Sequence, residues 1–579
     1  MIYMAKNYAI MFQRGEFGYN QILKDLFLSH PYLISALFVL SIIGLLVSII
    51  TPLIISSLID NVLIGLNLVL LPSIIISLII IYFISALSNY LSSYVRGKLN
   101  ALLFNELSVK IFDTIQEREL WALQQLKIGD LQSRTINNAN VVVLNVTTII
   151  PQIVTSILGV FLPFGIMLSL NPTLTLEVMA PVLLFGFSAW FFGGRIKTCQ
   201  RHVLDANANL QSFLKEAYSI VPLVKAFGLE DWAHRKYVTQ ISNYYTASLG
   251  VVKVTSMQSA LSILMYGVPF ILLLTLGSLA VLEGSISIGT LTAFMAYIGL
   301  FFSPIQQLSS LWTTYKGSQA SYDRIKEISS LQRDEWGEMT PSLNVSKIEL
   351  KDIWFSYGNR AVLQGLSATF VPGINYLIGD NGSGKSTVAK LLLGLYRPDQ
   401  GKILLNDNDF AQISQETIRS MISVVFCDNQ IFDGTIRENI LIGNLLASQE
   451  DVIQVAKKVK IHDFVVGLPK KYETEVGEAG FALSSGEKQK IALARVILKN
   501  APIIIFDEFT NSIDIESKKV ILSTIRQLKD KIIIIITHDM DDLEGEYKCI
   551  YMHQGARKNI HSSDSLSRRE AHPTISKFL

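Results

Sequence analysis

The stretch Gly379-Asp380-Asn381-Gly382-Ser383-Gly384-Lys385-Ser386 decides the reading of the C-terminal part of this chain. It fits the pattern G-x-x-x-x-G-K-[ST]. A mostly apolar run, Ile374 to Ile378, precedes it, and a helical pattern, Thr387 to Leu395, follows. Strand, glycine loop and helix in that order are the context the pattern demands. The glycines let backbone N–H groups turn inward onto phosphate oxygens, and the helix N-terminus adds positive dipole. The nucleotide-binding candidates are therefore Gly379 through Thr387. Lys385 is expected to contact the β- and γ-phosphates, and Ser386 to ligate Mg²⁺.

Two further apolar runs end in polar residues. Ile503 to Phe506 runs into Asp507-Glu508, and Ile532 to Ile536 runs into Thr537-His538. In an open α/β sheet, ligands gather at the carboxyl ends of the strands. Asp507 suits a metal position, reached through water. Glu508 suits the general base that polarises an attacking water, and His538 a hydrogen bond to the γ-phosphate. From Lys347 onward strands and helices alternate, as expected of an α/β domain with a parallel sheet.

Outward from this domain the composition changes. The chain has 579 residues, half of them hydrophobic, with a net charge of +2. Its mean hydropathy of +0.38 is high for a soluble protein of this size. The near-neutral balance gives no support for a nucleic-acid partner. Cys199, Cys427 and Cys549 lie far apart and form no metal-ligand spacing. Pro31 to Val95, Thr135 to Gly194 and Val254 to Tyr315 contain no Lys or Arg. One bilayer crossing takes about 20 apolar residues, so each stretch holds a membrane hairpin. The expected spans are 32–57, 67–92, 142–169, 173–194, 257–282 and 289–313.

The gaps between hairpins carry Arg96, Lys98, Arg118 and Arg134, then Arg195, Arg201, Lys236 and Lys253, among others. The positive-inside rule makes these gaps and both chain ends cytoplasmic. The gaps read as helix, over Gly97 to Gln125 and Gln200 to Ala226. The resulting division is a cytoplasmic lead-in over 1–30, a transmembrane domain over 31–328, a linker over 329–345 and an ATPase domain over 346–579. No leader-peptide pattern opens the sequence, and no peptidase domain precedes the first span.

Leu483-Ser484-Ser485-Gly486-Glu487-Lys488-Gln489-Lys490 resembles the signature motif of ATP-binding-cassette (ABC) proteins, with Ser485 where a glycine is usual. Other segments resemble the exporter class of that family: Gly129 to Arg134, Val224 to Glu230, Ile288 to Phe294, Ser303 to Ile305 and Ser318 to Arg324. The resemblance implies a multi-pass α-helical membrane domain, six helices with long cytoplasmic extensions, fused to an α/β P-loop ATPase domain. It implies ATP and Mg²⁺ as cofactors. It makes Tyr357 the aromatic that stacks on adenine, and Asp514 part of a loop at a dimer interface. Ser484 and Gly486 would cap the γ-phosphate held by a second copy of the chain. Thr474 to Gly480 resembles a segment that touches the cytoplasmic helices, with Ala479 where Arg is common. Cys427 stands where the family has the glutamine that senses Mg²⁺ and γ-phosphate, and a soft sulfur suits Mg²⁺ poorly.

The expected activity is ATP-driven export of a hydrophobic or amphipathic solute across a bacterial or archaeal inner membrane by a homodimer in the bilayer. The alternatives left open are an ATP-gated channel or regulatory member, and one half of a heterodimer with an impaired site. The predicted spans carry no central charge, which disfavours an ion pathway. Asn89, Asn145, Gln152, Ser156, Phe164 and Met167 are the candidate cavity residues.

Overall fold

The computed structural model describes residues 26–126, 128–341, 344–426, 430–477, 480–508, 530–538, 547–553 and 555–557, with residues 523, 525 and 528. The chain divides into two compact units. One contains residues up to Gln116 and Leu126–Ser330, the other Glu117–Gln125 and the chain from Leu331 on.

The first unit is helical. Pro31–Ser57 starts with proline in its first turn, where a missing N–H costs nothing. It continues as π-helix over Leu58–Ile64 and stops at Gly65. Leu71–Gln116 is one helix of 46 residues. At 1.5 Å rise per residue it is about 70 Å long, over twice the hydrocarbon thickness. Ile128–Leu170 is helical throughout, with π-helical turns at Arg134–Asn138 and Asn145–Ile149. Pro172–Met179 is capped by the Asn171 side chain, which accepts from Leu174 N at 3.0 Å. Leu183–Ser219, Glu230–Leu282 and Ile288–Ser330 complete the unit. Helices therefore cover the predicted spans, except Asn67 at the start of the second. Among the described residues, five helical stretches are long and apolar enough to cross a membrane: Pro31–Ile64, Leu68–Gln116, Ile128–Leu170, Glu230–Leu282 and Ile288–Ile305.

The exterior of this unit is apolar, with Phe83 67 % and Ile263 70 % exposed. A water-facing surface would not carry such stripes, whereas hydrocarbon accepts them. Inside, Ile49, Met167, Val178, Leu273, Phe294 and Tyr297 form one cluster, and Leu37, Leu99, Leu103, Val143 and Ile325 another. Polar side chains join helices where no water can. Tyr297 donates to Ile49 O at 2.8 Å, Ser88 to Leu40 O at 2.7 Å, and Asn145 to Ser318 Oγ at 2.7 Å. Asn145, Ser156 and Met167 are buried within the unit, Asn145 bonded to Ser318 and Met167 in the first of these clusters. Asn89 is exposed.

Two helical expectations need correction. The first gap is not helix from Gly97 to Gln125: the helix ends at Gln116, and Leu120–Gln124 is a separate short turn of helix. The second gap breaks after Ser219, before Val221–Ala226. Pro222 explains that break: it has no N–H to bond the carbonyl four residues back, so it fits the first turn of a new helix, where it stands, and not a helix interior.

The second unit holds two sheets. One is antiparallel, in the order β2-β1-β4-β5, from β1 (Ile348–Tyr357), β2 (Arg360–Phe370), β4 (Gln400–Leu405) and β5 (Asn408–Asp409). The other has the order β12-β11-β3-β10-β9-β6, from β3 (Gly373–Gly379), β6 (Ile422–Val425), β9 (Ile503–Asp507), β10 (Ile532–Thr537), β11 (Tyr547–His553) and β12 (Ala556–Arg557). It is parallel apart from its β12 edge. A short ribbon pairs β7 (Gly434–Thr435) with β8 (Glu475–Val476).

Strands β9 and β10 are buried along their whole length, which is why they read as unbroken isoleucine runs rather than alternating ones. Their side chains still divide by parity. Ile503, Ile505, Ile532 and Ile534 meet Val388, Leu391 and Leu392 on one face. Ile504, Phe506, Ile533 and Ile535 meet Ile491, Leu493 and Val496 on the other.

The nonapeptide Glu117–Gln125 is seated on this unit by backbone pairing. Glu119 N donates to Gln332 O at 3.1 Å, and Asp334 N to Glu117 O at 3.0 Å. The polar segment after Leu331 is likewise fixed to it. Asp334 accepts from Trp336 Nε1 at 2.6 Å and from Gln415 and Arg419.

Candidate functional site

Register places the chemistry. Strands β3, β10 and β9 are adjacent, with Thr537 opposite Ile378 and Ile536 opposite Asp507. Their carboxyl ends therefore deliver the glycine loop, Thr537-His538 and Asp507-Glu508 to one rim.

The loop needs its glycines. Gly382 and Gly384 have φ of +83° and +95°, where a side chain is strained. At Gly384 a Cβ would also lie 2.8 Å from Leu363 Cδ2. At Gly379 it would strike the Met552 carbonyl. Asp380, Asn381 and Gly382 are exposed at the tip, whereas Ser383, Lys385 and Thr387 are buried. Lys385 folds back and donates to Gly379 O at 2.7 Å and Asp380 O at 2.9 Å. Burial lowers its pKa from the ordinary lysine value, and the charges of Glu508, Asp507 and Asp380 oppose that shift. The buried Ser383 hydroxyl has no hydrogen-bond partner among the described residues. An orphaned donor beside inward-turned backbone N–H groups fits an anionic ligand.

Ser386 Oγ donates to Asp507 Oδ1 at 3.1 Å. Asp507 is buried at the end of β9, and burial raises its pKa. The Ser386 hydrogen bond pulls the pKa back, and the charge of Glu508 pushes it further up. A hydroxyl and a carboxylate are hard oxygen donors suited to Mg²⁺, which takes few protein ligands and completes its shell with water and phosphate. Among the described residues no cluster of three His, Cys, Asp or Glu could hold a metal.

Glu508 has φ of +48°, a left-handed backbone uncommon for glutamate. Its N–H is held by Ile536 O at 3.0 Å, so β10 fixes the turn. Its carboxylate stands 3.8 Å from His538 Nδ1. The five residues Lys385, Ser386, Asp507, Glu508 and His538 thus converge.

Tyr357 ends β1, its hydroxyl 3.5 Å from Thr387 Oγ1. Ser484 caps the helix Ser485–Lys499. Its Oγ accepts from Glu487 N at 3.3 Å, and Glu487 Oε2 accepts from Ser484 N at 2.7 Å, a reciprocal capping box. Among the described hydrogen bonds, none joins Ser484 or Gly486 to residues 379–387. Asp514, Cys427 and Ala479 lie outside the described residues. Gln430 is exposed, and its carbonyl accepts from Arg495 Nη1 at 2.8 Å.

Sequence reasoning missed the aromatic neighbours of Tyr357. Trp121 lies 5.7 Å from it between ring centroids, and Tyr396 5.5 Å. The signal available was an aromatic at Leu120-Trp121, in a cytoplasmic gap otherwise rich in charge.

Comparison with known proteins agrees with this architecture. Residues 34–305 match the family model of the ABC transporter transmembrane region. Residues 363–511 match the family model described as ABC transporter. A Bacillus subtilis (strain 168) protein, YgaD, described as a multidrug export ATP-binding/permease protein, is 29% identical over 72% of this chain and 73% of its own length. A Staphylococcus aureus (strain NCTC 8325 / PS 47) relative of the same description is 28% identical over 68% of this chain and 70% of its own. The structure of a bacterial Atm1-family ABC exporter with ATP bound matches the fold with a TM-score of 0.79, at 21% identity, over 92% of this chain and 95% of that one. Helical membrane region and P-loop ATPase domain stand in one chain in the family's order, and the chain belongs to the ABC transporters, as an exporter half-transporter whose ATPase is coupled to transport.

Proposed function

We propose that two copies of this chain clamp two ATP molecules between them and use the cycle of clamping and release to move a hydrophobic or amphipathic solute outward across the inner membrane. The observation that carries the reading is the convergence of Lys385, Ser386, Asp507, Glu508 and His538 on three adjacent strand ends.

In the free chain Lys385 spends its hydrogen bonds on two loop carbonyls. A triphosphate offers stronger, charge-assisted acceptors, so Lys385 turns onto the β- and γ-oxygens. The Ser383 hydroxyl and the loop N–H groups complete the cradle, and Tyr357 stacks on the base. Ser386 and Asp507 would hold Mg²⁺, which would neutralise charge developing on the phosphates. Glu508 accepts a hydrogen bond from the attacking water and draws off its proton. His538 donates to the γ-phosphate, near enough to Glu508 to align the same water. Ser484, exposed at a helix N-terminus, and the half-buried Gly486 cap the γ-phosphate of the nucleotide bound by the partner copy. ATP favours the closed dimer because only that state makes both sets of contacts, and hydrolysis removes the preference.

Both chain ends lie in the cytoplasm on this reading. A heterodimer with one impaired site is the second reading, favoured by Cys427 in the glutamine position. Purified chain, reconstituted alone, tests both. A dimeric mass and ATPase activity stimulated by particular lipids, drugs or peptides support the homodimer. A monomer without ATPase activity, activated only by another chain, supports the heterodimer.

A further inference from the structure

A stretch of sequence between two helices of the membrane unit is packed into the aromatic cluster around Tyr357. Residues Glu117–Gln125 belong to the ATPase unit, yet they are continuous with helix Leu71–Gln116 on one side and with the helical run from Ile128 on the other. Trp121 sits 5.7 Å from the Tyr357 ring at an interplanar angle of 44°. Phe355 and Tyr396 meet the same ring nearly edge-on, at 4.9 and 5.5 Å. Three aromatic partners thus limit the freedom of Tyr357 before any ligand arrives. Gly358 follows Tyr357 at φ +59°, a left-handed turn that favours glycine, and its Cα side faces Trp121 at van der Waals distance. The segment has a second hold on the cluster, since Tyr396 donates from its hydroxyl to Gln124 Oε1 at 2.8 Å.

We infer that Trp121 is a positioning residue for the nucleotide base: it fixes Tyr357 for stacking, and base occupancy is felt directly by Glu117–Gln125. The inference rests on Tyr357 being the adenine platform. Orientation prepaid in the free protein appears as affinity, and an aromatic pair of this kind is worth a factor of about five in binding. The phosphates gain nothing from it, because the Lys385 cradle is built separately from β3 and its loop.

The test uses the full-length chain in lipid nanodiscs, with the non-hydrolysable ATP analogue AMP-PNP and inorganic tripolyphosphate, which has no base. Trp121→Ala is expected to weaken AMP-PNP binding about fivefold and to leave tripolyphosphate unchanged. Trp121→Phe restores most of the loss. In the unmutated chain AMP-PNP, but not tripolyphosphate, slows amide exchange in 117–125. Equal weakening of both ligands by Trp121→Ala overturns the inference, since Trp121 then only supports the fold. Unchanged AMP-PNP binding in Trp121→Ala, with weakened binding in Tyr357→Ala, overturns it while leaving the platform assignment standing. If Tyr357→Ala binds both ligands normally, the platform assignment itself falls, and the inference with it.

Discussion

Ser386 at the start of one helix and Asp507 at the end of β9, 121 residues apart, are joined by a 3.1 Å hydrogen bond. The bond is made only because β9 and β3 flank β10 in parallel register. It partly compensates a buried carboxylate, and on the proposed reading the same two oxygens would hold Mg²⁺.

Burial raises the pKa of Asp507 above the ordinary aspartate value of about 3.9. Its ionised form is therefore disfavoured by folding, and the metal needs that form. Mg²⁺-dependent ATP binding is expected to weaken as pH falls, beginning above the range of an exposed aspartate. Asp507→Asn should abolish this pH dependence together with the Mg²⁺ requirement. The same substitution should raise the melting temperature of the ligand-free chain, because it removes a desolvated charge, and should abolish the further rise caused by Mg-ATP. Thermal unfolding across pH, with and without Mg-ATP, checks all three.

Lys385 is held by two loop carbonyls. Lys385→Ala removes charge-assisted bonds worth about 1.5–3 kcal/mol each, so ATP affinity should fall at least tenfold. Titration calorimetry on the full chain measures it. Unchanged affinity would remove Lys385 from the phosphate site.

Ser484→Ala separates capping from catalysis. Loss of the cap should cost about 1 kcal/mol of stability. ATPase activity should fall far more than so small a change explains, because the hydroxyl is also assigned to the partner's γ-phosphate. A parallel loss, in which activity tracks the folded fraction, would reduce Ser484 to a cap.

In the membrane unit, Asp60 accepts from Gly289 N at 2.8 Å and from Ser287 Oγ. It thereby caps the helix Ile288–Ser330 from the π-helical end of the first span. A Cβ on Gly289 would collide with Ser56 O and with the Asp60 carboxylate. Gly289→Ala should destabilise the chain by about 1–3 kcal/mol, as overpacking does. Fluorescence-detected unfolding in detergent reads the loss.

The strongest local patterns were the ones the sequence carried openly. A glycine loop needs its spacing, buried parallel strands need continuous apolar residues, and a capping box needs Ser484 three residues before Glu487. The break after Gln116 carried no such mark. No Gly or Pro occurs between Gly97 and Gly129, and the pairing of Glu117 and Glu119 with residues 332–334 decides it. Asp60 and Gly289 are likewise joined across 229 positions, beyond any local pattern. Pro222 was a legible stop signal that the helical reading of the second gap passed over.

Hydrolysis in the proposed cycle depends on one carboxylate at the rim of the sheet. Glu508→Gln, reconstituted in lipid and assayed side by side for ATP binding and hydrolysis, tests it. The expected result is ATP binding at or above the level of the unmutated chain, a dimer locked shut by ATP, and turnover reduced at least about a hundredfold. Hydrolysis at the unmutated rate would contradict it.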